Sequence, residues 1–186
     1  MQTQKLFMLM LGCKPQGRQT EQHDIFFGIG ESLKDLIPQI FDFWPEAKSK
    51  IHIDAWREVN FVEGCKVEVI PSSESIENQF SLFFLNLGGY RPNEFDEPHY
   101  KMLLATPDKA TAIKLAKETA FYKHTCFEGA TSHIDDKYGV DVDDVFEIED
   151  VITADLKSKF KLKLSPAESI TEDEIHLGYL PIKNIT

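Results

Sequence analysis

Four of the six histidines fall in two short motifs that each hold a carboxylate two positions away: Glu21-Gln-His23 and His52-Ile-Asp54, then Glu97-Pro-His99 and His133-Ile-Asp135. Residues i and i+2 of an extended segment point to one face, so each motif can present an imidazole and a carboxylate together. If the two motifs of one half converge, two imidazoles and two acids meet. That set suits Zn²⁺, Mn²⁺ or Fe²⁺, with His23 and His52 as the first candidate ligands, or it serves as a general acid–base pair. The plainer reading is that the acids tie loops to the backbone or hold a buried imidazole. Spacing alone produces many chance matches, so it assigns no catalytic residue.

Other features weigh less. Gly28-Ile-Gly30 ahead of a helical stretch imitates a phosphate loop, but Glu31 follows and no Walker lysine is placed. Cys13 lies near His23 in sequence and reads more simply as a buried thiol at a strand end. The acids from Asp135 to Asp150 lack the Gly and Glu positions of an EF-hand loop and read as a solvated face. Lys157, Lys159, Lys161 and Lys163 form a basic stripe suited to pairing with acids or guarding a sheet edge.

The elements that must position these residues come from an internal repeat. Leu6-Phe-Met-Leu-Met-Leu-Gly12 matches Leu82-Phe-Phe-Leu-Asn-Leu-Gly88, and the same offset of 76 carries Glu21 onto Glu97 and His23 onto His99. His52-Ile-Asp54 matches His133-Ile-Asp135 at an offset of 81, which puts about five extra residues into a loop of the second copy. The class is α+β: two diverged copies of a strand-strand-helix-strand-strand unit, residues 1–78 and 79–153, packed as a pseudo-twofold fused dimer. Residues 154–186 supply a strand and an extended arm. A copy of this size alone buries only about 60 % of its unfolded surface, which is why the copies are expected to pack together.

Local signals fill in the unit. Thr106-Pro107-Asp108 reads as an N-cap, a first helical residue and an early acid, ahead of a stripe at Ile113, Ala116 and Ala120. Ser32 and Asp35 imitate a cap before Leu33 to Trp44, where Pro38 implies a kink or a late start and Pro45 a stop. Asp24–Gly28, Val67–Ile70 and Tyr100–Leu104 read as strands. Ser158–Leu164 alternates with period two and turns Phe160, Leu162 and Leu164 to the core.

The strings Met8-Leu-Met-Leu-Gly12, Glu21-Gln-His-Asp-Ile-Phe-Phe-Gly-Ile-Gly30 and His52-Ile-Asp-Ala-Trp56 resemble the bacterial family catalogued as domain of unknown function 1543. That family occurs in one or two copies per chain, so the resemblance implies two tandem copies here. The second half departs from it: Tyr100 stands for Asp24, and Asp136-Lys137 for Ala55-Trp56. The resemblance implies no reaction.

Composition narrows the partners. Twenty Lys+Arg against thirty-one Asp+Glu leave a net charge of −11, whose field opposes nucleic acid and anionic membranes. Fourteen Phe and a 42 % hydrophobic share are enough for a packed core. Three scattered cysteines fit neither a disulfide framework nor a zinc knuckle and point to a reducing, cytoplasmic setting. Leu6–Leu11 ahead of Cys13 mimics a lipoprotein signal, but its near-copy at residues 82–87 marks it as a buried strand. The expectation is a metal- or small-molecule-binding protein. The alternative is a non-catalytic interaction or scaffold protein that binds another protein. Homo-oligomerisation stays open.

Overall fold

The computed structural model describes residues 3–47, 50–88, 93, 95–124, 141–167 and 172–185. The chain opens with β1 (Lys5–Cys13), β2 (Gln22–Gly30), a 3₁₀ turn (Leu33–Leu36), α1 (Ile37–Phe43), β3 (His52–Glu58), β4 (Phe61–Val62) and β5 (Cys65–Pro71). Next come β6 (Ser81–Gly88), β7 (His99–Thr106), α2 (Lys109–His124), β8 (Asp141–Glu147) and α3 (Ile148–Val151). It closes with α4 (Ala154–Lys159), β9 (Phe160–Pro166) and β10 (His176–Pro181). The fold is α+β with antiparallel sheets. Among the described residues no helix is long and apolar enough to cross a membrane.

Two compact units divide the chain: residues 1–76 with 152–186, and residues 77–151. In the first, a four-stranded sheet runs β10-β3-β1-β2, and a second sheet runs β4-β5-β9. Side-chain alternation sorts β1 into two faces. Phe7, Leu9, Leu11 and Cys13 pack with Phe26, Leu36, Ile40 and Ile53 in the main core. Leu9, Leu11, Ile40 and Ile53 are wholly buried, each contributing about 1.5–3 kcal/mol by area transfer. Gly12 belongs to the other face of β1.

Pro38 produces the late start. A 3₁₀ turn runs to Leu36, and α1 begins with the proline in its first turn, where a missing N–H is harmless. Asp35 Oδ2 accepts bonds from the Ser32 and Glu31 N–H groups at 2.9 and 3.1 Å, fixing the strand exit. Gly30 allows that close approach, since a Cβ there would stand 2.9 Å from Asp35 Cβ. The two glycines of this turn thus serve strand-to-helix packing.

The second unit holds a three-stranded sheet, β7-β6-β8, with α2 against it through the buried Ala112 and Ala116. The cap of α2 differs from the expected one. Asp108, not Thr106, accepts the capping bond, from the Thr111 N–H at 2.7 Å, so the helix starts two residues later. Asp108 fits because a carboxylate reaches the free N–H groups of the first turn, while the Thr106 hydroxyl donates to the Asp108 carbonyl at 2.9 Å.

Residues 154–186 do not stand apart as a strand and arm. β9 pairs along β5 from Phe160 opposite Pro71 to Pro166 opposite Cys65, and β10 pairs with β3. Leu162 and Leu164 are buried as the alternation implied. The basic stripe meets acids and backbone acceptors: Lys163 Nζ lies 3.3 Å from Glu68, Lys159 bonds Asp155 at 2.7 Å, and Lys161 donates to the Glu74 carbonyl.

Candidate functional site

The register places the first-unit motifs around one glycine. Gly12 in β1 is directly opposite His23 in β2 on one side and His52 in β3 on the other. Directly paired residues share a face, and the strands flanking β1 each lie about 4.8 Å from it. With no side chain on Gly12, the two imidazoles can lean toward each other over the middle strand. A Cβ there would collide with His52 Nε2 and stand 2.5 Å from Asp54 Oδ2.

Asp54 is brought in by a double irregularity. The β1–β3 register shifts between Met10 and Leu11, whose partners are Ala55 and Ile53, so Asp54 is the extra residue of a bulge. On the other edge, β10 skips from Leu177 opposite Ala55 to Leu180 opposite Ile53. Bulges re-aim side chains, and this one turns the Asp54 carboxylate to the imidazoles.

The four side chains meet. Asp54 Oδ2 lies 3.3 Å from both His23 Nε2 and His52 Nε2. Glu21 Oε1 lies 3.1 Å from His52 Nε2, and Oε2 lies 4.0 Å from His23 Nε2. Burial divides the set into a fixed and an adjustable half: the His52 and Asp54 side chains are 6 % and 23 % exposed, those of His23 and Glu21 44 % and 46 %. Asp54 Oδ2 itself is buried and forms no hydrogen bond among the described residues, despite the two nitrogens beside it. A buried acceptor left so costs about 1–3 kcal/mol, more when charged.

The donors touch in pairs. Among the described residues no group of three or more His, Cys, Asp and Glu has its donors trained on one point. Their separations are nonetheless near those required around an ion, because a tetrahedral site with bonds of about 2.0–2.1 Å has donor–donor edges of about 3.3–3.4 Å.

One aromatic contact walls the site. The His52 ring lies 4.3 Å from that of Tyr179; the stack of Trp56 on His176 at 3.9 Å belongs to the core face of the same sheet. Tyr179 sits in the β10 bulge, next to Gly178 at φ +131°, a conformation strained for any L side chain. A cleft of about 490 Å³ opens beside Glu21 and His52, lined also by residues 14–18, Lys50 and Tyr179. Cys13 is buried below, its thiol 3.8 Å from the Ala47 carbonyl and pushed up in pKa mainly by burial.

Only part of the second set lies among the described residues. Glu97 and His99 are exposed, and His99 is opposite Gly88, as His23 is opposite Gly12. His133 and Asp135 lie outside the described residues. The strand on the far side of Gly88 is β8, whose Asp141 occupies the register position of His52 and whose Asp143 is the extra residue of the bulge, as Asp54 is. Gly12, Gly178 and Tyr179 were not among the candidate residues. Only Gly12 had a signal, its recurrence as Gly88 at the end of the repeated strand.

Residues 18–69 match the family described as Domain of Unknown Function (DUF1543), in one copy, and this segment carries all four clustered side chains. A protein Il1583 from Idiomarina loihiensis, known from its crystal structure, is similar in fold: TM-score 0.63, 21 % identity, 96 % of this chain and 97 % of that one covered. No curated protein matches the chain.

Proposed function

We propose that Glu21, His23, His52 and Asp54 bind a divalent first-row metal ion and that the chain is a metal-dependent small-molecule-binding protein. The observation that carries this reading is Asp54 Oδ2, a buried carboxylate oxygen with no hydrogen bond and an imidazole nitrogen 3.3 Å away on each side. Positive charge at that point offsets the cost of leaving it so, and two His with two carboxylates are the donors that Zn²⁺, Mn²⁺ and Fe²⁺ take. His52 and Asp54 form the preset part; Glu21 and His23 close on the ion. No reaction is assigned, and the bound ion would supply Lewis acidity to whatever enters the cleft.

The second unit is a diverged copy of the first, in which a glycine again separates a histidine from an acidic strand. The rival is a purely structural cluster in an interaction protein, where an imidazolium supplies the charge. Purification without chelator or affinity metal, followed by metal analysis by mass spectrometry, separates the two. The expected result is stoichiometric metal, lost in His23→Ala and in His52→Ala with the fold retained. No metal, no thermal shift with Zn²⁺, Mn²⁺ or Fe²⁺, and a large stability loss in both variants would establish the structural role.

A further inference from the structure

We propose that the cleft beside the cluster receives a small oxyanion-bearing molecule, a carboxylate or a phosphate, held by Lys14, Arg18 and Lys50. This names the ligand class of the site proposed above and rests on that reading only for the adjacent metal. The cleft, about 490 Å³, has the size of ordinary small-ligand pockets, and Glu21 and His52 form part of its wall.

Its charge is the reverse of the molecule's. The chain carries −11 overall, yet three of the nine residues lining this cleft are cations and one is a carboxylate. None of the three cations has an ion-pair partner among the described residues. Three cations lining one cleft with a single carboxylate leave it a surplus of positive charge, and an anion there meets it through charge-assisted hydrogen bonds. Arg18 offers the planar fork that carboxylates and phosphates accept, and the lysines add mobile donors.

Tyr179 gives the cleft a wall of another kind. Its ring is 70 % exposed and stands over His52 on a bulge that Gly178 permits. An anion with an apolar body can thus lie along the ring, its charged end among the three cations. The global negative field keeps polyanions such as nucleic acid away, so a small ligand is favoured.

Inorganic phosphate and malonate, each against chloride at matched ionic strength, are titrated calorimetrically into the full-length protein, metal-replete and after chelation. Saturable binding of at least one anion is expected, weakened about tenfold or more in the double variant Arg18→Gln/Lys50→Gln, a loss equivalent to about 1.4 kcal/mol. These exposed side chains leave the metal content unchanged. The anion that binds more tightly identifies a phosphate or a carboxylate ligand. Binding no stronger than chloride, or equal binding by the double variant, overturns the proposal. If the wild-type protein holds no metal as purified yet binds an anion that the double variant binds more weakly, this proposal stands and the metal reading falls; full metal content without anion binding does the reverse.

Discussion

Gly12 lies directly beneath the tip of His52, so close that a methyl group on its Cα would overlap Nε2. The glycine is the space in which the site is built. Both neighbours of β1 reach across it because nothing rises from the middle strand. Gly12→Ala should therefore abolish metal retention, and should cost about 1–3 kcal/mol of stability by overpacking. Metal content and the melting temperature check this; an alanine variant with normal metal content would show that the four side chains do not meet over Gly12.

Asp54 separates a functional cluster from a structural one. An ion-binding site retains an uncomfortable carboxylate at the expense of stability, so Asp54→Asn should lose the metal while the metal-free protein melts at the wild-type temperature or above. If Asp54 instead holds an imidazolium in place, the same change breaks a partly buried pair and costs up to about 3–5 kcal/mol. Denaturation of the chelated proteins decides between them.

That each motif presents an imidazole and a carboxylate together was legible because residues i and i+2 share a face; that the two motifs meet stayed a condition, since it depends on the β1–β2 and β1–β3 registers and on the bulge at Asp54. What was illegible depends on ladders that close over long separations. β10 arrives at β3 from more than 110 residues away and brings Tyr179, and no local pattern announces it. The string His133-Ile-Asp135 copies His52-Ile-Asp54, yet the register puts Asp141 opposite Gly88, an offset of 89 (141 against 52) rather than 81. The cap at Asp108 was missed by two residues because Thr106 and Asp108 both carry capping chemistry, and only the backbone path chooses.

The buried thiols should be inert. Burial is the largest cause raising the Cys13 pKa, partly countered by Lys50 and reinforced by Glu21, and the same desolvation raises that of Cys65. With the thiolate disfavoured and the sulfur enclosed, alkylation at neutral pH should be slow in the native protein and fast after denaturation. Peptide mapping after a short iodoacetamide pulse tests it; rapid native labelling of Cys13 would show an open, reactive thiol beside the cluster.

Glu68 pins the β5–β9 register, because its carboxylate bonds Lys66 Nζ at 2.8 Å and faces Lys163, its direct cross-strand partner, at 3.3 Å. The hydrogen bond from Lys66 is the chief cause holding its pKa below the ordinary 4.5, against a smaller opposing effect of burial. A depressed carboxyl pKa stabilises the fold above the unfolded value and loses that contribution as pH falls through the folded one. Glu68→Gln should accordingly cost about 0.2–1 kcal/mol at neutral pH, screened by salt, and nothing once pH is well below the depressed folded-state value. A pH-independent difference in denaturation midpoint would rule this linkage out.

The connection between β5 and β9 gives the strongest test of the architecture. Pro71 pairs with Phe160, the Ser72 N–H donates to the Lys159 carbonyl at 2.9 Å, and the Ser72 hydroxyl donates to the Ser158 carbonyl at 2.7 Å. The chain thus leaves one strand and returns to its neighbour at the same place, with residues 77–151 inserted between. A product of residues 1–78 lacks β9 and β10, leaves the edges of β5 and β3 unpaired, and should be unstable or self-associating. Joining residue 76 to residue 152 through a short Gly/Ser loop restores both strands at the cost of closing one turn, a small entropic term. That shortened chain should melt cooperatively and keep the metal site, since Glu21, His23, His52, Asp54 and Tyr179 all remain. Calorimetry and metal analysis of the two products decide the matter: a well-behaved 1–78 monomer, or a shortened chain that fails to fold, would show that the second unit is needed to complete the first.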